Sequence, residues 1–164
     1  MITLRPATLA DIPAILEIYN DAALKTTATA DTEPATLAQR TEWFDFRTAN
    51  GYPILVSLDE SEIVTGWSSL SPYHLRYGYR FTAEVSVYIA EKSRGKGIGK
   101  ALINALLEAT DPLKFHSLVA SIDSENAASI HLHKSFGFLE MGTLKEIVFK
   151  FDRWLDVVYL QKIL

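Results

Sequence analysis

The chain has 164 residues, a formal net charge of −4 and 48% hydrophobic residues, which is enough apolar material for one compact α/β domain over residues 1–164 and little more. With 0 Cys disulfides and thiolate metal sites are excluded. The acidic balance offers nothing global to nucleic acid, and no apolar run approaches the roughly 18 residues of a membrane span.

In chain order, Met1 to Pro6 lacks a basic segment followed by a long apolar block, so no signal peptide is read and a cytoplasmic location is expected. Ile2 to Arg5 is a short strand. Asp11 is expected to cap a helix whose Ile12, Ile15, Leu16 and Tyr19 share a face. Thr36 can cap a second helix ending near Asn50-Gly51. Tyr52 to Leu58 and Glu62 to Ser71 read as strands joined by the turn Asp59-Glu60-Ser61. Ser71 to Arg80 is an aromatic, basic loop, and Thr82 to Ala90 a strand. Gly97 to Thr110 is a helix with a stripe of Ile98, Leu102, Ile103, Leu106 and Leu107. His116 to Ile122 is a strand, and Asn126 to Phe136 a helix stopped by Gly137. Strands near Phe138 to Lys150 and Leu155 to Ile163 close the chain, with a turn between them. Alternating strands and helices without a linker or repeat imply a single layered α/β fold.

The segment Arg94-Gly95-Lys96-Gly97-Ile98-Gly99-Lys100 stands between a strand and an amphipathic helix. Three glycines in five residues let backbone N–H groups crowd round an anion, and the helix N-terminus adds partial positive charge. Lys96 and Lys100 add screening. The spacing fits neither a Walker A loop nor a dinucleotide-binding fingerprint. It reads as a pyrophosphate cradle, the alternative being an ordinary tight turn.

In Thr82 to Ile89 the period is two. Ala83, Val85, Val87 and Ile89 form an apolar face; Thr82, Glu84, Ser86 and Tyr88 form the other. That second face is either solvated or the lining of a substrate cleft, with Glu84 its one carboxylate. A carboxylate so placed can serve as a base, taking a proton directly or through a water, and Glu84 is the candidate. A strand N–H can steady the oxyanion. His131 and His133 lie about 200° apart on a helix and cannot share a role. His133 looks inward, either as a working group or as a structural histidine. The loop Pro72 to Arg80 holds three tyrosines and two arginines. It is either plain surface or a cover that offers a cation to a substrate carboxylate, for which Arg76 is suited by its bidentate geometry.

The run Arg94-x-x-Gly97-x-Gly99, followed by Asn126-Ala127-Ala128-Ser129 and Phe136-Gly137-Phe138, resembles the acyl-CoA site of the GNAT superfamily of N-acetyltransferases. Ile18-Tyr19-Asn20-Asp21, Trp43-Phe44, Gly51 to Val56, Thr82 to Ile89 and Lys150 to Asp156 resemble its phosphinothricin and methionine sulfoximine/sulfone acetyltransferase branch, over nearly the whole chain. The resemblance implies a mostly antiparallel mixed sheet of about seven strands flanked by about four helices, with a splayed strand pair that takes acetyl-CoA. It implies cofactor contacts from Val87, Tyr88, Ile89, the segment Arg94, Gly95, Lys96, Gly97, Ile98, Gly99 and Lys100, and Asn126 and Ser135. It implies substrate contacts from His74, Leu75, Arg76, Glu84, Val85 and Ser86, and catalytic work by Glu84 and by His133, which stands where many relatives have a tyrosine that protonates the leaving thiolate. The expected partners are a small amino-acid-like substrate and a second copy of the chain, with no metal, nucleic acid or membrane. The alternatives are an acetyltransferase for a peptide N-terminus or a polyamine, and a CoA-binding sensor without activity.

Overall fold

The structure, a computed structural model, describes residues 2–164. Its elements are β1 (Thr3–Pro6), α1 (Ile12–Lys25), α2 (Leu37–Ala49), β2 (Ile54–Leu58), β3 (Val64–Pro72), β4 (Thr82–Ile89), α3 (Ile98–Glu108), β5 (Ser117–Asp123), α4 (Ala127–Ser135), β6 (Leu139–Lys150) and β7 (Arg153–Ile163). The strands form one seven-stranded sheet in the order β1-β2-β3-β4-β5-β7-β6. Every neighbouring pair is antiparallel except β4 and β5, because β4 returns to β5 through the crossover helix α3.

Alternation within the strands builds a core on each face. Leu55, Leu70, Ala83, Val85 and Leu118 pack with Leu102 and Leu106 of α3. Ile54, Val56 and Trp67 point the other way, against Ile12 and Ile15 of α1 and Phe44 of α2. Truncating a buried residue such as Leu102 to Ala would cost about 2–5 kcal/mol.

Helix α2 starts as its sequence indicates: Gln39 N–H donates to Thr36 Oγ1 (3.2 Å) and Thr36 N–H to Gln39 Oε1 (2.8 Å), a reciprocal cap. At α1 the expected cap is corrected. A short 3-10 turn, Leu9–Asp11, precedes the helix, and Asp11 makes no side-chain cap bond to α1 but closes the capping box of that turn with Thr8. Its carboxylate accepts from both terminal nitrogens of the Arg5 guanidinium (2.7 and 2.8 Å) and from Thr8 N–H (2.7 Å), which holds its pKa down at about 2, the Arg5 bond being the largest cause. The buried stripe of α1 is Ile12, Ile15, Ile18, Ala22 and Ala23, while Leu16 and Tyr19 are half-buried. The last turn is also shorter than expected. Phe151 (φ 52°) and Asp152 (φ 55°) make a two-residue hairpin that extends β7 back to Arg153.

Candidate active site

The parallel pairing of β4 with β5 covers only three steps, Thr82–Ser117, Ala83–Leu118 and Glu84–Val119. Beyond Glu84 the strands part, although β4 stays paired to β3 as far as Ile89 and β5 to β7 as far as Asp123. The gap is a cleft of about 830 Å³, walled by Glu84 to Ile89 on one side and Ala120 to Asp123 on the other. A strand edge inside the sheet that has lost its neighbour presents backbone donors and acceptors to whatever fills the gap.

Arg94, Gly95, Gly97, Ile98 and Gly99 close one end of the cleft. Gly95 (φ 75°) and Gly97 (φ 81°) are left-handed, and a Cβ on either would meet nothing within 4 Å. Their requirement is therefore conformational, and the space in front of the turn is open for a ligand. Gly97 is the N-cap of α3, so a helix N-terminus opens onto that space. Gly99 does a different job: a Cβ there would stand 3.1 Å from Leu132 Cδ2, so Gly99 lets α4 approach α3. Arg94 lines the cleft, while the exposed Lys96 and Lys100 do not. The residues present suit the pyrophosphate and pantetheine arm of acetyl-CoA, held by the glycine turn, Arg94 and the free edge of β4.

Glu84 is half-buried at the point where the strands part, with Ser86 and Tyr88 following on the same strand face. His133 is 4% exposed and also faces the cleft. Its Nδ1 lies 2.9 Å from the Ser129 carbonyl. A carbonyl only accepts, so Nδ1 carries the proton and Nε2 of the neutral ring is a bare acceptor. Nε2 is buried without a partner. Burial pulls the imidazole pKa below its ordinary value, opposed by the Ser129 bond. This arrangement suits accepting a hydrogen bond from a ligand N–H or S–H rather than delivering a proton.

Asn126 lines the cleft while its Oδ1 caps α4, accepting from Ser129 N–H (3.1 Å). Ser135 is exposed, off the cleft, and donates to the Leu132 carbonyl (2.7 Å). The structure does not bring His74, Leu75 or Arg76 to the cleft wall. Leu75 is 92% exposed. The loop packs on itself, with the Tyr79 ring edge-on to Tyr73 (5.7 Å between centroids) and tilted against His74 (5.1 Å), and Arg76 N–H donates to His74 Nδ1 (3.2 Å).

Several cleft residues escape the sequence. Thr26 to Ala30, between α1 and α2, form a wall. They are pinned from afar by Thr27 Oγ1 to Asp123, Lys150 Nζ to the Thr29 carbonyl (2.8 Å) and Tyr88 OH to the Ala28 carbonyl (3.4 Å). Tyr159 of β7 also lines the cleft. Nothing local in the sequence signals these contacts, since each joins segments far apart in the chain. Among the described residues no group of three or more side chains could hold a metal ion, and no helix is long and apolar enough to cross a membrane.

The same architecture is found in known proteins. A phosphinothricin acetyltransferase from Sinorhizobium meliloti, solved in complex with AcCoA, is 40% identical with a TM-score of 0.96, covering 99% of this chain and 88% of that one. An L-methionine sulfoximine/L-methionine sulfone acetyltransferase from Pseudomonas aeruginosa is 45% identical over 159 residues, 97% of this chain and 92% of that protein. A phosphinothricin N-acetyltransferase from Streptomyces coelicolor is 34% identical, covering 98% and 95%. The model of the acetyltransferase (GNAT) domain matches residues 1–139. With its parted β4–β5 pair and its left-handed glycine turn at the cleft's end, the chain belongs to the GNAT acetyltransferase family.

Proposed function

We propose that this acetyl-CoA-dependent N-acetyltransferase acetylates the amine of a small amino-acid-like substrate of the phosphinothricin or methionine sulfoximine/sulfone kind. One observation carries the reading: the free edge of β4 runs from the glycine turn at one end to a half-buried carboxylate, Glu84, at the other. Relatives with those printed activities match this chain over nearly its full length.

When bound, acetyl-CoA supplies an acyl thioester activated toward amines. Glu84 accepts the proton of the substrate ammonium, directly or through a water, because only the neutral amine is nucleophilic. Backbone N–H groups of β4 beyond Glu84 hold the donor and can steady negative charge on the reacting carbonyl oxygen. Arg94 balances phosphate charge. His133 orients a ligand donor through Nε2.

Recognition of the substrate carboxylate falls to the loop between β3 and β4, with Arg76 first and His74 second. The loop begins beside the cleft: Tyr73 acts electrostatically on Tyr159, which lines it, and both the burial of Tyr159 and that interaction raise its pKa. The β6–β7 hairpin exposes Met141, Leu144, Ile147, Phe149 and Trp154, an apolar surface that suits a homodimer. A cytoplasmic location goes with a donor that is an intracellular metabolite.

CoA release with a panel of amines tests the reading. Methionine sulfoximine, methionine sulfone and phosphinothricin should turn over well, and peptide N-termini and polyamines poorly. Release with polyamines alone would overturn the substrate class. No release with any amine, despite tight acetyl-CoA binding, would favour a sensor.

A further inference from the structure

His133 is 4% exposed and lines the cleft, and its Nε2 is buried without a hydrogen-bond partner among the described residues. The strand registers fix its level along the gap. The His133 ring stands edge-on to that of Phe138, 5.3 Å between centroids. Phe138 leads into β6, where Leu139 pairs with Gln161 of β7; Gln161 pairs with Val119 of β5, and Val119 with Glu84. His133 therefore stands near the level at which β4 and β5 part. It stands on the other face from Glu84. Phe138 packs in the core with Leu118 and Ala120, whereas Val119 and Glu84 point to the opposite side of the sheet, because neighbours along a strand alternate. The imidazole and the carboxylate thus flank the closed end of the gap from its two sides, with the glycine turn at the far end.

The bonding of the ring decides what it can do there. Nδ1 lies 2.9 Å from the Ser129 carbonyl and 3.5 Å from the Ser129 hydroxyl. The carbonyl only accepts, so the proton of the neutral ring is on Nδ1 and Nε2 offers a lone pair. Burial favours that neutral form. Nε2 therefore has no proton to give, and a buried acceptor left unpaired is costly. A ligand hydrogen would complete it. Acetyl-CoA has none on its sulfur; free CoA has one. Transfer to a substrate ammonium forms a C–N bond and breaks the C–S bond, whose electron pair leaves with sulfur. Two protons come off the nitrogen: Glu84 takes one, and the other goes to the departing sulfur. The thiol forms without a proton from His133.

Resting on the acetyl-CoA reading of the cleft, we propose that His133 recognises the spent cofactor: its Nε2 accepts the S–H of free CoA and has no bond to make with the thioester, so the enzyme holds on to this product and is throttled as free CoA accumulates. A thiol is a weak donor, which keeps the discrimination modest.

The test is calorimetric binding of CoA, S-methyl-CoA and acetyl-CoA to wild type and to His133→Leu. Wild type should bind CoA about three- to tenfold more tightly than S-methyl-CoA, the usual range for one neutral hydrogen bond. In His133→Leu that preference should vanish through weaker CoA binding, with the affinities for S-methyl-CoA and acetyl-CoA about unchanged, and steady-state inhibition by CoA should relax in step. If His133→Leu does not fold, His133→Phe keeps a ring against Phe138 and is read in the same way; the wild-type comparison needs no variant. Equal affinity of wild type for CoA and S-methyl-CoA overturns the proposal. A loss shared by all three ligands in the variant also overturns it, and puts an N–H of the pantetheine arm on Nε2 instead. A CoA preference that survives in the variant while kcat falls overturns it in favour of a proton-donating role. Wild type that binds none of the three overturns the acetyl-CoA reading itself.

Discussion

Glu84→Gln keeps the side chain's shape and removes its basicity, so kcat should fall roughly 10²–10⁴-fold with acetyl-CoA affinity about unchanged. The defect should shrink at high pH, where the amine loses its proton unaided; a rate near wild type at pH 7 would leave Glu84 as a positioning group only. Arg76→Ala should raise KM for the amino-acid substrate more than it lowers kcat, since a carboxylate clamp contributes mostly uniform binding. Loss of that charge-assisted bond is worth roughly 1.5–3 kcal/mol. Equal turnover of free acid and amide by the wild type would reject the clamp. His133 gives a pH signature of another kind. Its folded pKa lies below the ordinary 6.5 because of burial, so protonation favours the unfolded chain. Its stabilising contribution is present above about 6.5 and fades as the pH falls toward the folded value, whereas that of Asp11 persists until the pH drops through the ordinary 3.8 toward about 2. Thermal melts at pH 7.5 and 5.5 should therefore differ more for wild type than for His133→Gln; equal differences would count against a buried neutral imidazole.

Among the elements, the glycine turn carries the clearest expectation. Gly97→Val forces a β-branched residue into φ 81°, a left-handed strain of about 1–2 kcal/mol, and sets a side chain in the donor's space. A folded Gly97→Val protein should lose acetyl-CoA binding by calorimetry; wild-type affinity would move the cradle elsewhere. This turn was legible in the sequence because its signal is local: glycines at fixed offsets between a strand and a helix with a clear apolar stripe. The face of β4 was legible for the same reason, since period-two alternation separates Glu84 from Val85 without knowledge of the neighbours. The role of Asp11 was not. A residue before a helix normally caps it, but Arg5 on the adjoining strand supplies a stronger partner, and tertiary pairing overrides local preference. Likewise the buried set of α1 adds Ile18 and Ala22, while Tyr19, packed at the edge of that core, turns its hydroxyl to Asp31 in the following segment. The pins on Thr27 to Thr29 come from residues as far off as Lys150, beyond the reach of any pattern in one stretch of chain.

At the level of the whole molecule, the alternation of strands and helices gives a layered α/β fold and the GNAT resemblance implies about seven strands with about four helices, while the sheet order and the single parallel pair come from the structure. The length of that parallel pair does not follow, because three steps of pairing or seven are equally compatible with the side-chain pattern of β4 and β5. The consequence of so short a pairing reaches into kinetics. The gap runs between the two halves of the sheet, with the glycine turn at one end and Glu84 and Tyr159 toward the other. A cleft of about 830 Å³ leaves room for the acyl donor and the amine to occupy the enzyme together. With 0 Cys in the chain, no thiol stands by to store the acyl group between visits. Initial-rate plots against one substrate at fixed levels of the other should intersect, as direct transfer within a ternary complex requires; parallel lines would mean that the protein itself carries the acetyl group in between.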